Sequence, residues 1–372
     1  MAYRARELYR GRRKHTLPLL ILLFTLAFLV LGTVLAFYAL QQFIVYDETG
    51  VTLQFNRAEE TQESASQAVI SLPDLSGMQL QLVYRDPDFS DVSLPVGEEL
   101  RSLQAGYIHF AEIQKPELLA ERLEALRQEN YKAVVFEMKT EAGLLAWASQ
   151  SATAYSYGLS GTEDLSETLA ALKEAGIHTT ARISVCADDL LAVRNWPIAL
   201  KSEAGTPYVD ADGHYWLDPY NRAARLYIIE LMEELAAMGF DEILLDELCH
   251  PRSEESFSYS VSLHIDPNPR AAVGQLAVKL AEAAQELGVE LSVCADTASL
   301  RGDLAESSGQ DLALFWRIFE RVYCPSDSEQ AASDRELALK FGGSAERFVP
   351  ICAYQSPESF SSYVIYSPLS ND

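Results

Sequence analysis

From about residue 101 onward, short apolar runs alternate with longer stretches in which apolar positions recur every three or four residues. The first pattern is that of buried strands and the second that of amphipathic helices. The runs predict strands at 105–110 (AGYIHF), 132–138, 178–186, 241–247, 289–295, 319–324, 347–353 and 361–366. Helical spacing covers 117–130, 166–175, 222–238 and 270–287. Gly176, Gly239 and Gly288 stand where three of these helices should stop, because glycine readily takes the left-handed backbone that ends a helix. Strands that are apolar almost throughout bury both faces, which implies a parallel sheet covered by helices. Eight strands in roughly 270 residues fit a closed (β/α)8 TIM barrel. A doubly wound open sheet needs fewer strands and often carries a glycine-rich phosphate loop, and no GxGxxG or Walker sequence follows any strand.

The N-terminal region reads differently. Residues 17–40 are apolar and uncharged, interrupted only by Pro18, Gly32 and two threonines. That run exceeds the roughly 20 residues needed to cross a bilayer core. It is also longer than the apolar part of a cleaved signal peptide. Arg4, Arg6, Arg10, Arg12, Arg13 and Lys14 precede it against the single acid Glu7, so the N-terminus is expected in the cytoplasm and the rest outside. Four regions follow: a basic tail at 1–16, a transmembrane helix at 17–40, a stalk at 41–100 and the barrel at 101–372. Within the stalk, 43–46 and 51–55 read as two strands joined by Asp47-Glu48-Thr49-Gly50.

Charge narrows the partners. The chain has 29 basic and 54 acidic residues. Without the six basic residues and Glu7 of the tail, 23 basic face 53 acidic ones. So acidic a surface excludes nucleic acid and anionic lipid as main partners, while a neutral or cationic substrate fits. The five cysteines, Cys186, Cys249, Cys294, Cys324 and Cys352, lie in or beside apolar runs and cannot all pair internally. Buried free thiols are expected. No CxxC or HxH spacing supports a metal site, and no metal or organic cofactor is implied.

Barrel enzymes gather their chemistry at the C-terminal ends of the strands. Taking every second residue of each strand aligns Glu137 with Lys139, Arg182 with Ser184 and Cys186, Glu242 with Asp246, and Ser292 with Asp296. Charged residues are seldom buried without a partner or a purpose. Glu137, Lys139 and Arg182 could form structural ion pairs or tune a site. Asp246 and Asp296 end adjacent strands, and two carboxylates across one cleft suit glycosidic hydrolysis, their separation setting a retaining or inverting outcome. Tyr155, Tyr157, Tyr208, Tyr215, Trp216 and Tyr220 crowd the loops after the second and third strands, where rings either stack on sugars or form a local core.

Residues 105–367 resemble a bacterial family of predicted glycoside hydrolases with (β/α)8 barrels, often exported or anchored by one N-terminal helix. The resemblance rests on AGYIHF, KAVVFEMK, GIHTTARISV, the run containing WLDPYN, GFDEILLDELCHP and ELSVCAD, in that order. It implies catalytic acids at Asp246 and Asp296. It also implies supporting roles for Glu137, Lys139 and Arg182, with Glu137 where aspartate is commoner. Asp218 and Asn221 match the family's loop and could hold sugar hydroxyls. One departure is that Glu247, Leu248, Cys249 and His250 replace a run that usually carries an arginine between aromatics. Glu247 could contribute an acid or base there. The resulting expectation is an anchored, extracytoplasmic hydrolase of envelope or extracellular polysaccharide, with Asp246 as nucleophile or base and Asp296 as acid. Its rivals are an inactive glycan-binding barrel and a scaffold for an envelope assembly.

Overall fold

The computed structural model describes residues 44–47, 50–53, 88–97, 100–253, 257–259, 268–301 and 308–367. Two compact units divide the chain at Leu80. In the first, Ile44–Asp47 pairs antiparallel with Gly50–Leu53, the hairpin expected for this stretch. The apolar segment 17–40 lies outside the described residues. Among the described residues, no helix is long and apolar enough to cross a membrane.

The second unit, Gln81–Asp372, is built on a closed barrel of eight parallel strands. They are β1 (Gln104–Ile108), β2 (Ala133–Lys139), β3 (His178–Ser184), β4 (Glu242–Asp246), β5 (Glu290–Cys294), β6 (Val322–Pro325), β7 (Phe348–Ala353) and β8 (Tyr363–Tyr366). Each strand pairs with the next, and β8 closes on β1 through Tyr363 opposite Gln104. All eight coincide with the apolar runs. Inside, Ala105, Tyr107, Val135, Leu244, Cys294, Tyr323, Val349 and Val364 form one cluster. The alternate residues, such as Ile108, Phe136, Ile183, Ile243 and Val293, pack outward against the helices. Both faces are therefore buried, which is why the strands read as continuous apolar runs rather than as an alternation.

The principal outer helices are α1 (Pro116–Gln128), α2 (Ser166–Glu174), α3 (Arg222–Met238), α4 (Pro269–Leu287), α5 (Leu312–Ile318) and α6 (Ala331–Leu339). Asn221, Asn268 and Asp311 cap α3, α4 and α5 by accepting backbone N–H groups. Gly239 and Gly288 end α3 and α4 with left-handed backbone. The α1 helix sits so close to β1 that a Cβ at Gly106 would lie 2.1 Å from Leu126 Cδ2.

A strap at 88–97 also belongs to this unit. Arg317 of α5 donates to the carbonyls of Phe89 and Val92, and the Gly97 N–H donates to the Glu320 carboxylate. Phe89 fills the space over Gly274 of α4, where an added Cβ would meet its ring at 2.4 Å. Composition placed the start of the barrel domain at 101. The strap's anchors fall in a polar stretch with no periodic signal.

The five cysteines are free and buried, as their apolar surroundings implied.

Candidate active site

At the C-terminal mouth, one guanidinium organises the charges. Arg182, two residues before the end of β3, donates Nε to Asp246 Oδ2 at 2.7 Å and Nη1 to Glu137 Oε1 at 3.0 Å. Its Nη2 contacts Asp246 Oδ2 at 2.6 Å and also pairs with Glu141. Burial alone would lower its pKa, but the carboxylates of Asp246, Glu141 and Glu137 hold it well above the ordinary arginine value. The other oxygen of Asp246 accepts the Glu247 N–H at 2.9 Å. Glu137 accepts the Phe110 N–H at 2.9 Å and lies 4.0 Å from His109 Nδ1. Three of the residues expected from strand alternation, Glu137, Arg182 and Asp246, thus meet in one cluster. Glu141 joins it from the loop after β2, where no periodicity could have revealed it.

Lys139 goes elsewhere. The β2–β3 ladder slips between Glu137 and Lys139, and such a bulge breaks strict alternation. Its ammonium donates to the Ser184 carbonyl at 2.7 Å and pairs with Asp188 Oδ2 at 2.9 Å, both side chains being fully buried. Lys139 therefore holds the loop after β3 rather than Glu137.

The two strand-end acids have different surroundings. Asp246 lines a cavity of about 490 Å³ together with Tyr107, Arg182, Asp327, Ile351 and Tyr366. Asp296, just beyond β5, is ion-paired with Arg252, and its N–H donates to the Gln310 side chain at 2.9 Å. Glu247 has a left-handed backbone, with φ of 49°, a conformation a long side chain adopts only when its surroundings impose it. Burial first, and then the negative charge of Asp246, push its carboxyl from 4.5 up to about 7. The Cys249 thiol donates to it at 3.4 Å. Leu248, Cys249 and His250 are all buried. His250 packs against Phe257 and is held to about 4 by desolvation, so the ring is neutral.

Asp218 and Asn221 shape the backbone. Asp218 is fully buried and accepts the Tyr220 N–H at 2.9 Å. Asn221 caps α3 and donates to the Pro197 carbonyl at 3.0 Å. Among the loop aromatics, Tyr208 and Trp216 are buried in a local core, with Tyr208 edge-on to Phe257, while Tyr155 is exposed. The rings that line the cavity come instead from β1 and β8, as Tyr107 and Tyr366.

At the opposite end of the barrel, His178, Glu242 and Glu290 could by geometry hold a cation. Arg321 already occupies that position electrostatically, contacting Glu242 at 3.3 Å and Glu290 at 2.8 Å. Burial would raise the Glu242 carboxyl, yet Arg321 and His178 hold it at about 2. This network ties the starts of β3, β4 and β5 to Arg321 just before β6.

The model of a family described as "Putative glycosyl hydrolase domain" matches residues 105–320, more than half of the chain. No curated protein matches it. Among solved structures, a hypothetical protein from Ruminiclostridium thermocellum ATCC 27405 is 24% identical over 50% of this chain and 95% of its own, with a TM-score of 0.45. The glycoside hydrolase domain of PgaB (BpsB) from Bordetella bronchiseptica is 14% identical over 73% of this chain and 94% of its own. Its TM-score is 0.52, a likeness of fold.

Proposed function

We propose, from the premise that this chain belongs to that family of glycosyl hydrolase domains, that its barrel cleaves glycosidic bonds in an envelope or extracellular polysaccharide. One observation carries the reading. Asp246 ends β4 on the wall of a cavity of about 490 Å³, oriented there by Arg182. A carboxylate fixed at a barrel mouth can attack an anomeric carbon or activate water against it. Glu137 and Glu141 hold the far side of Arg182 and so fix its direction.

Hydrolysis also requires a proton for the departing oxygen. The sequence pointed to Asp296 for that step, but Asp296 is engaged with Arg252. Glu247 directly follows Asp246 at the end of β4, and burial and the Asp246 charge raise its carboxyl to about 7, the range that suits a general acid. Glu247 then supplies the proton, and Asp296 positions Arg252.

The pH dependence follows from the sign of the shift. Glu247 is protonated below about 7, so cleavage should fall as pH rises through that value. Glu247→Gln should remove this alkaline limb and slow release of reducing ends by on the order of 10²-fold or more. A folded variant with the wild-type profile would sink the assignment. Because the folded pKa is raised, the stabilisation is full below about 4.5 and is lost as pH rises through about 7. The same variant should flatten that loss in urea unfolding.

We also propose that 17–40 anchors the protein with the barrel outside the cytoplasm, a placement supported by the basic run before an uncharged apolar stretch. Protease added to intact cells should then digest the barrel and spare the basic tail. Protection of the barrel until the membrane is permeabilised would reverse the topology.

A further inference from the structure

Around the closed barrel, β4 and β8 stand four strands apart in either direction, so they face each other across the mouth. Asp246 ends β4 and Tyr366 ends β8, and both line the same cavity. The wall on the β3–β4 side is charged, with Arg182 and Asp246. The wall from β6 to β8 carries Pro325, Ile351, Ala353 and the Tyr366 ring, with Ser326 and Asp327 as its polar members just past β6. A sugar ring is mixed in the same way, with apolar C–H faces and polar edges.

The Tyr366 ring is held in place. Its centroid lies 5.0 Å from Tyr107 and 4.8 Å from His109, at interplanar angles of 61° and 71°. The His109 ring is fixed in turn by its Nε2 on the Ser367 carbonyl at 2.7 Å. These edge contacts use the neighbouring rings and leave Tyr366 36% exposed at the rim.

A second exposed tyrosine is tied to the same strand end through the backbone. Tyr354, just past β7, donates its N–H to the Tyr366 carbonyl at 3.3 Å. It has a φ of 63° and is 69% exposed. An aromatic residue in left-handed backbone is a costly conformation, and burial cannot be its compensation here. Both tyrosines lie beyond the residues matched by the family model.

We infer that Tyr366 and Tyr354 form an aromatic platform for successive sugar rings. The substrate class is then an oligosaccharide or polysaccharide chain, laid from the β7–β8 rim into the cavity toward Asp246, rather than a single sugar. This rests on the glycosidase reading for its direction and not for its binding, and the test separates the two.

The full chain carrying Asp246→Asn, which blocks turnover, would be run in affinity electrophoresis against soluble β-glucan, glycol chitosan and alginate. Tyr366→Ala and Tyr354→Ala, each added to that background, should weaken retention by the bound polymer roughly tenfold, the scale of one lost aromatic contact. Tyr366→Phe and Tyr354→Phe should restore it. Tyr354→Gly suits the backbone and should lose binding without losing stability. On an oligosaccharide ladder, the benefit of each added sugar should shrink in the Tyr354→Ala protein. Unchanged binding in both alanine variants overturns the platform, as does a parent protein that binds none of the polymers. If wild type binds through these rings but releases no reducing ends, the hydrolase reading fails and the platform stands.

Discussion

Asp246→Asn is expected to reduce release of reducing ends from a cleaved polysaccharide by at least ~10³-fold, with the fold intact. The amide keeps the shape of the carboxylate but has neither the charge to attack an anomeric carbon nor the basicity to take a proton from water. The fold should survive because Arg182 retains Glu137 and Glu141 as partners. A second effect accompanies the first. Removing the Asp246 charge removes one of the causes that raise the Glu247 carboxyl, so the alkaline limb of any residual activity should move to lower pH. The measurement is a pH series on the full chain, with urea unfolding as the control for folding. A variant as active as wild type would displace Asp246 from the chemistry. A folded wild type that binds a broad panel of polysaccharides and cleaves none would favour the glycan-binding barrel.

The largest stability effect is expected at Lys139. Its pair with Asp188 has no exposed surface on either side. Lys139→Met leaves the Asp188 carboxylate buried without its counter-charge, a situation that costs about 3–5 kcal/mol. Asp188 cannot turn away cheaply. Its other oxygen accepts the Leu191 N–H at 3.0 Å and caps the Asp189–Arg194 helix. Gly143 presses against it so closely that a Cβ there would fall 2.0 Å from Asp188 Oδ1. Lys139→Met combined with Asp188→Asn should recover much of the loss, because the asparagine still caps the helix and carries no charge. Urea unfolding of the two single variants and the double variant measures the coupling. A loss below about 1 kcal/mol for Lys139→Met would contradict the buried-pair account.

Much of the barrel could be read along the chain because its causes are local. A strand buried on both faces must be apolar along its length, and a helix covering it must repeat near 3.6 residues. Gly239 and Gly288 end their helices with backbone that only glycine adopts freely. Alternation along β4 also carried Asp246 to the mouth, since nothing interrupts the ladder between Glu242 and Asp246.

Alternation failed where the backbone departed from it. The slip after Glu137 sent Lys139 to Asp188, and hydrophobic spacing does not encode a bulge. Glu141, Asp188 and Arg252 act from loops, where side-chain direction has no period. The aromatic run around Tyr215 and Trp216 was visible, but its burial beneath the loops was not. Tyr366 was indistinguishable from any other strand residue until β8 closed opposite β4.

The sequence by itself determined the strands, four of the outer helices and the acid that ends β4, because burial on two faces and regular backbone leave a periodic trace in composition. Only the tertiary structure decided which charges meet. Arg182 gathers carboxylates from β2, β4 and a loop, and burial and the neighbouring Asp246 raise the Glu247 carboxyl. Those energies depend on distances of a few ångströms and on exclusion of water, which chain closure creates and residue order does not record.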